Sequence, residues 1–141
     1  MEPAITITST PARMESRTLR HLKGLKRTLR TNAAYEVLGD KVDTWTSGGC
    51  LLLATTLHEM FGGELRGVWS NGILQHAVLK IGDVYVDADG TSTETQILAR
   101  WRTEEGLTHP ILGPYAAQPW YCPRSRTKRL KAYLRKTLRL R

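Results

Sequence analysis

The stretch SGGCLLLATTLHEMFGG (residues 47–63), followed by ELRGVWSNGILQHAVLKIGDVYVDADG (residues 64–90), decides the fold. Its first half is apolar nearly all round and is bracketed by paired glycines. Ser47 suits a helix N-cap and Gly62 a C-terminal stop, which predicts one buried helix with Cys50 in its first turn. The second half alternates. Glu64 to Trp69 reads as extended chain, and Ser70-Asn71-Gly72 as a hairpin turn. A strand follows from Ile73 to Ile81, then a turn at Gly82-Asp83, a returning strand from Val84 to Ala88, and a close at Asp89-Gly90. A helix laid on a small antiparallel sheet is an α+β arrangement.

The flanks read as helices. Leu19, Leu22, Leu25 and Leu29 form an apolar stripe that predicts a helix over 13–30, with Gly24 its weakest point. A short helix is expected from Asn32 to Leu38, ended by Gly39. Thr93 and Gln96 suggest a capping box for a helix reaching Glu105, with Gly106 as its stop. Residues 107–123 carry four prolines and read as irregular or edge structure. Residues 123–140 predict a basic helix with Pro123 in its first turn and a stripe of Leu130, Tyr133, Leu134, Thr137 and Leu138. Residues 1–12 read as a lead-in or one extended strand. The expected organisation is a single domain over 1–141: a basic N-terminal segment (1–35), a core (36–106), a Pro-rich connection (107–122) and a basic C-terminal helix (123–141).

Composition bounds the function. The chain has 141 residues, 40% hydrophobic and 24% charged. That length supports one core, since about two thirds of the unfolded surface is buried at this size. No apolar run approaches the ~20 residues of a membrane span. Met1 to Arg13 has no basic-then-apolar leader, so a cytoplasmic protein without membrane partners is expected. Two cysteines, Cys50 and Cys122, make neither a disulfide framework nor a zinc-site spacing. Asp83, Asp87 and Asp89 lack the later Glu of a calcium loop. His58-Glu59 has Gly62 where a zinc helix needs its second His. No cofactor or metal is expected.

Cys50, His76 and Asp87 carry the chemistry. The first turn of a helix favours thiolate through the helix dipole and its open N–H groups, and lowers the thiol pKa from its ordinary value of about 8.5. On the hairpin, side chains alternate with period two, so His76, Asp87 and Asp89 share one face. A turn at Gly82-Asp83 puts His76 opposite Asp89, whereas a turn at Ile81-Gly82 puts it opposite Asp87. Either carboxylate would fix the imidazole tautomer. Ala77, Leu79, Ile81, Val84 and Val86 form a small or apolar opposite face. His58 lies two helical turns from Cys50, too far to be its base.

The order of helix-borne Cys, strand-borne His and next-strand Asp resembles the papain-like fold. Gly48-Gly49-Cys50, Ala54, Gly62-Gly63, His76-Ala77-Val78-Leu79 and Val86-Asp87-Ala88-Asp89-Gly90 look most like its transglutaminase-like branch, which includes bacterial transglutaminase-like cysteine proteinases. The resemblance covers residues 45–90. It implies a thiol peptidase, deamidase, amidase or transglutaminase acting on a protein or peptide. Cys50 would be the nucleophile, His76 the base, and Asp87, with Asp89 as alternative, the orienting acid. Papain-type peptidases place a Gln ahead of the nucleophile for the oxyanion. Here that stretch reads Asp43-Thr44-Trp45-Thr46, which leaves the backbone at Gly49 and Cys50 as donors and Trp45 as a cleft residue.

The net charge of +8 is uneven. Residues 1–35 hold seven Lys/Arg against two Asp/Glu, residues 36–121 five against eleven, and residues 122–141 nine against none. The basic ends read either as the solvated faces of amphipathic helices or as contacts to nucleic acid or an acidic protein partner. The second reading gives the alternative function: a small basic binding protein whose papain-like site is inert.

Overall fold

A computed structural model describes residues 12–38, 45, 49–115 and 124–139. The expected Ser47 cap, Gly48, the Gly39 stop, Cys122, Pro123 and the segment 1–11 lie outside them. The described residues form six helices and one five-stranded antiparallel sheet, an α+β fold. No helix among them is long and apolar enough to cross a membrane.

The Cys-bearing helix α4 (Gly49–Phe61) is buried along most of its length, because Leu52, Leu53 and Leu57 fill the main core while Cys50 and Ala54 face the sheet. Gly62 stops it, its N–H donating to the His58 carbonyl at 2.9 Å. Gly63 then turns the chain at φ +83°, where a Cβ would lie 2.5 Å from the Lys80 carbonyl oxygen. Only glycine lets β1 (Glu64–Ser70) start this close to the neighbouring strand.

Strands β1 and β2 (Ile73–Ile81) are joined through Asn71 and Gly72, with φ of 53° and 75° as a type I′ turn requires. Val68 pairs with His76 and Trp69 with Leu74, so Gln75 is an extra residue, a bulge beside the histidine. The β2–β3 turn is Gly82-Asp83, since Ile81 pairs with Val84 at the start of β3 (Val84–Asp87). A strand the sequence reading lacked, β4 (Gly90–Ser92), returns along β3 with Asp87 opposite Gly90. The Pro-rich segment supplies β5 (Ile111–Pro114), which pairs with β1 at the far edge, giving the order β4-β3-β2-β1-β5.

Each sheet face has its own cover. Leu79, Ile81 and Val86 join the main core with α4. On the other face Val68, Val78 and Tyr85 pack against Ile97 and Trp101 of α5 (Glu94–Thr103). Helix α5 carries the expected capping box: Thr93 Oγ1 accepts from Gln96 N–H, and Thr93 N–H donates to Gln96 Oε1.

The helix expected over 13–30 is two helices, α1 (Ala12–Leu22) and α2 (Leu25–Leu29), broken at Lys23-Gly24. Glycine costs a helix about 1 kcal/mol, and Leu138 packs nearby, 3.8 Å from where a Cβ would stand, an ordinary contact distance. The leucine stripe survives the break, with Leu22, Leu25 and Leu29 fully buried. Helix α3 (Asn32–Leu38) has the expected bounds. Helix α6 (Arg124–Thr137) adds Leu130 and Leu134, with Leu138 just beyond its end, to the same core. Tyr133 donates its hydroxyl to the Thr28 carbonyl at 2.8 Å. The basic helices thus turn their charges outward and share one leucine core with α4.

Candidate active site

Cys50 is the second residue of α4 and only 6% exposed. No acid occupies the first turn of the helix, so nothing there offsets the positive end of the dipole. Ala54, one turn on, and Ala77 of β2 pack around Cys50. Their small side chains let the helix start come close to the strand beside His76.

His76 Nε2 lies 2.9 Å from Asp87 Oδ2, and both side chains are essentially buried. A carboxylate only accepts, so Nε2 carries the hydrogen. Nδ1 is the nitrogen left over. It has no hydrogen-bond partner of good geometry, while Cys50 acts on the ring as a hydrogen-bond partner and as a charge. Burial pulls the His76 pKa down. The hydrogen bonds to Asp87 and Cys50, with the charges of both, outweigh that and raise it from 6.5 to about 9.

Asp87 is held by three donors: His76 and Arg100 Nη2 (2.5 Å) on Oδ2, and the Asp89 N–H (2.9 Å) on Oδ1. Burial pushes its pKa up, but the hydrogen bond and charge of His76, the Arg100 charge and the Asp89 N–H together keep it below the ordinary 3.8. Asp89 is turned elsewhere. Its Oδ1 accepts from Arg30 Nη2 at 2.7 Å, and its Oδ2 is 3.7 Å from Arg100 Nε. Arg30 also donates to the Ala88 carbonyl at 2.9 Å, fastening the link after α2 to the turn that carries both aspartates.

Trp101 stacks on His76, with ring centroids 4.4 Å apart and planes at 30°. It lies against the ring that binds Asp87 and is itself only 7% exposed. The sequence reading found neither Arg100 nor Trp101. The one available signal was the i, i+4 pair Ile97 and Trp101, which marks the buried face of α5.

Of the expected cleft residues, Gly49 is buried at the helix start, with N–H groups among the first that the helix leaves without an internal partner. Trp45, 3% exposed, sits in the main leucine core and not among the residues packed around Cys50, because its large ring finds its apolar neighbours there. Tyr115, just past β5, packs beside Cys50 together with Leu51 and Leu65. Among the described residues no group of three His, Cys, Asp or Glu could hold a metal ion.

No protein family, curated protein or solved structure matches this chain. The functional reading therefore rests on this geometry and on the local resemblance in sequence.

Proposed function

We infer that the protein is a thiol-dependent acyl-transfer enzyme with a papain-like, transglutaminase-like core, acting on an amide of a protein or peptide. The observation that carries this is one buried imidazole that bonds Asp87 through Nε2 and also feels the hydrogen bond and charge of a helix-N-terminal cysteine, Cys50.

Cys50 Sγ attacks the amide carbonyl carbon, and the new C–S bond drives the carbonyl electrons onto oxygen. The first N–H groups of α4, at Gly49 and Cys50, are the donors for that oxyanion. As it collapses, His76 Nδ1–H protonates the leaving nitrogen and the C–N bond breaks, leaving a thioester. Water or an amine then attacks, His76 Nδ1 takes its proton, and the thiolate departs. Asp87 holds the ring and its tautomer throughout. Arg100 keeps Asp87 ionised and so acts as a positioning residue. Cys50 as thiolate, Asp87 and Asp89 balance His76 as imidazolium, Arg30 and Arg100, three charges of each sign. Peptide-bond hydrolysis leads among the possible reactions, on the resemblance to transglutaminase-like proteinases.

The test is the pH dependence of Cys50 alkylation by iodoacetamide, with Cys122 replaced by Ser. Wild type should react well below the ordinary thiol range of about 8.5, and His76→Ala should move the profile up toward it. A profile indifferent to His76 would sink the reading. Amide hydrolysis or transfer on peptide substrates should vanish in Cys50→Ala.

A further inference from the structure

At the other end of α4 from Cys50, the C-terminal turns of α1, α4 and α6 meet around a pocket of about 760 Å³. Arg17 and Arg20 reach it from α1, and Arg135 and Arg139 from the end of α6. Met60 and Phe61, half-buried, supply its apolar surface, and His21 also lines it. The two basic ends of the sequence, more than a hundred residues apart, thus put their guanidinium groups into one concavity.

The bland account is that these arginines neutralise helix dipoles. Three C-terminal ends carry about half a negative charge each, roughly −1.5 in all, against four guanidinium groups. A clear positive excess remains. Among the described residues that line the pocket none is acidic. Glu59, next to Met60, is held by Lys131 at 2.5 Å. Among the described residues none of the four arginines has a carboxylate partner. Arg139 also adopts a left-handed φ of +57°, where a glycine or asparagine is the usual choice after a helix.

We propose that this pocket binds a small phosphorylated ligand with an aromatic ring, of the nucleoside polyphosphate class, its phosphates on the arginines and the face of its ring on Phe61 and Met60. Guanidinium forks match phosphate oxygens two at a time. The volume falls in the range of about 300–1,000 Å³ typical of small-molecule sites, and a concavity suits a compact ligand better than a long polyanion. The site is separate from the reacting thiol. The eleven residue steps from Cys50 to Phe61 span roughly 16 Å of helix.

The experiment is calorimetric titration of the full chain with ATP, without magnesium, at low and moderate salt. ATP should bind more tightly than inorganic tripolyphosphate and weaken with salt. Arg20→Gln and Arg135→Gln should each weaken it about tenfold, as for the loss of one charged hydrogen-bonding group. Both side chains are exposed, so unchanged thermal unfolding will certify the variants. Cys50→Ala should bind as wild type does. No ATP binding, binding indifferent to both arginines, or tripolyphosphate binding as tightly as ATP would overturn the proposal. So would capture of a single-stranded 20-mer oligothymidylate that ATP does not displace, which would point to a nucleic-acid surface.

Discussion

Asp87 is the residue on which the site turns. With three donors on two oxygens it stays ionised although it is 3% exposed, and so it holds a positive charge on His76. The two pKa shifts fix the pH behaviour. The His76 pKa is raised from 6.5 to about 9, so the stabilisation it brings is complete below pH 6.5 and disappears as pH rises through about 9. The Asp87 pKa is lowered, so its contribution is present above 3.8 and is lost as pH falls below that value. Wild type minus His76→Ala stability, measured by urea unfolding across pH 5 to 10, should therefore shrink on the alkaline side. The decline should be on the order of a few kcal/mol, centred between 6.5 and 9. A difference flat with pH would mean that the imidazole titrates in the folded protein as it does in the unfolded chain.

Among the elements, the joint between α4 and β1 sets how the helix of Cys50 meets the sheet that carries His76. Gly62 and Gly63 both have positive φ, but they differ in surroundings. A Cβ on Gly62 meets nothing within 4 Å, whereas one on Gly63 runs into the Lys80 carbonyl and the side chains of Ile81 and Leu79. Gly62→Ala should cost about 1 kcal/mol, the ordinary left-handed penalty. Gly63→Ala should cost clearly more, because a backbone oxygen inside the β1–β2 ladder cannot move aside. Equal costs in chemical denaturation would contradict the close approach. This joint and the turns around it were plain in the sequence, since paired glycines, Asn-Gly and Gly-Asp announce themselves. So were α3, β2 and the capped start of α5. The choice between Asp87 and Asp89 was not. The Gly82-Asp83 turn puts Val78 level with Asp87, so His76 reaches it diagonally. The chain then swings through Ala88-Asp89 into β4, which carries Asp89 off to Arg30 and Arg100. That three-residue strand, Gly-Thr-Ser, shows no apolar alternation and left no trace in the pattern. The partnership of α5 with His76 was equally hidden, because helix periodicity gives the buried face and not what it meets.

At the scale of the whole molecule, the two basic ends of the sequence bring their leucine stripes into the main core. Leu134→Ala should cost about 2–5 kcal/mol, as a buried leucine does, and urea unfolding will measure it. Deleting the C-terminal helix would remove Leu130, Leu134 and Leu138 together, so tests of its charges must use substitutions. The strand order β4-β3-β2-β1 has a further consequence for how the chain finds its shape. Within this run each strand pairs with its sequence neighbour across a turn of two residues, and only β5 joins from farther along the chain, so loop closure is cheap and the pairing can propagate from turn to turn. Helix α6 instead meets partners as far off as Thr28, 105 residues away from Tyr133. Its docking belongs to the late part of folding, and the loss from Leu134→Ala should then appear mainly as faster unfolding, with refolding little slowed. Cys50, His76 and Asp87 fall within the early, local part of the chain. The arginine pocket comes into existence only when the two ends have met.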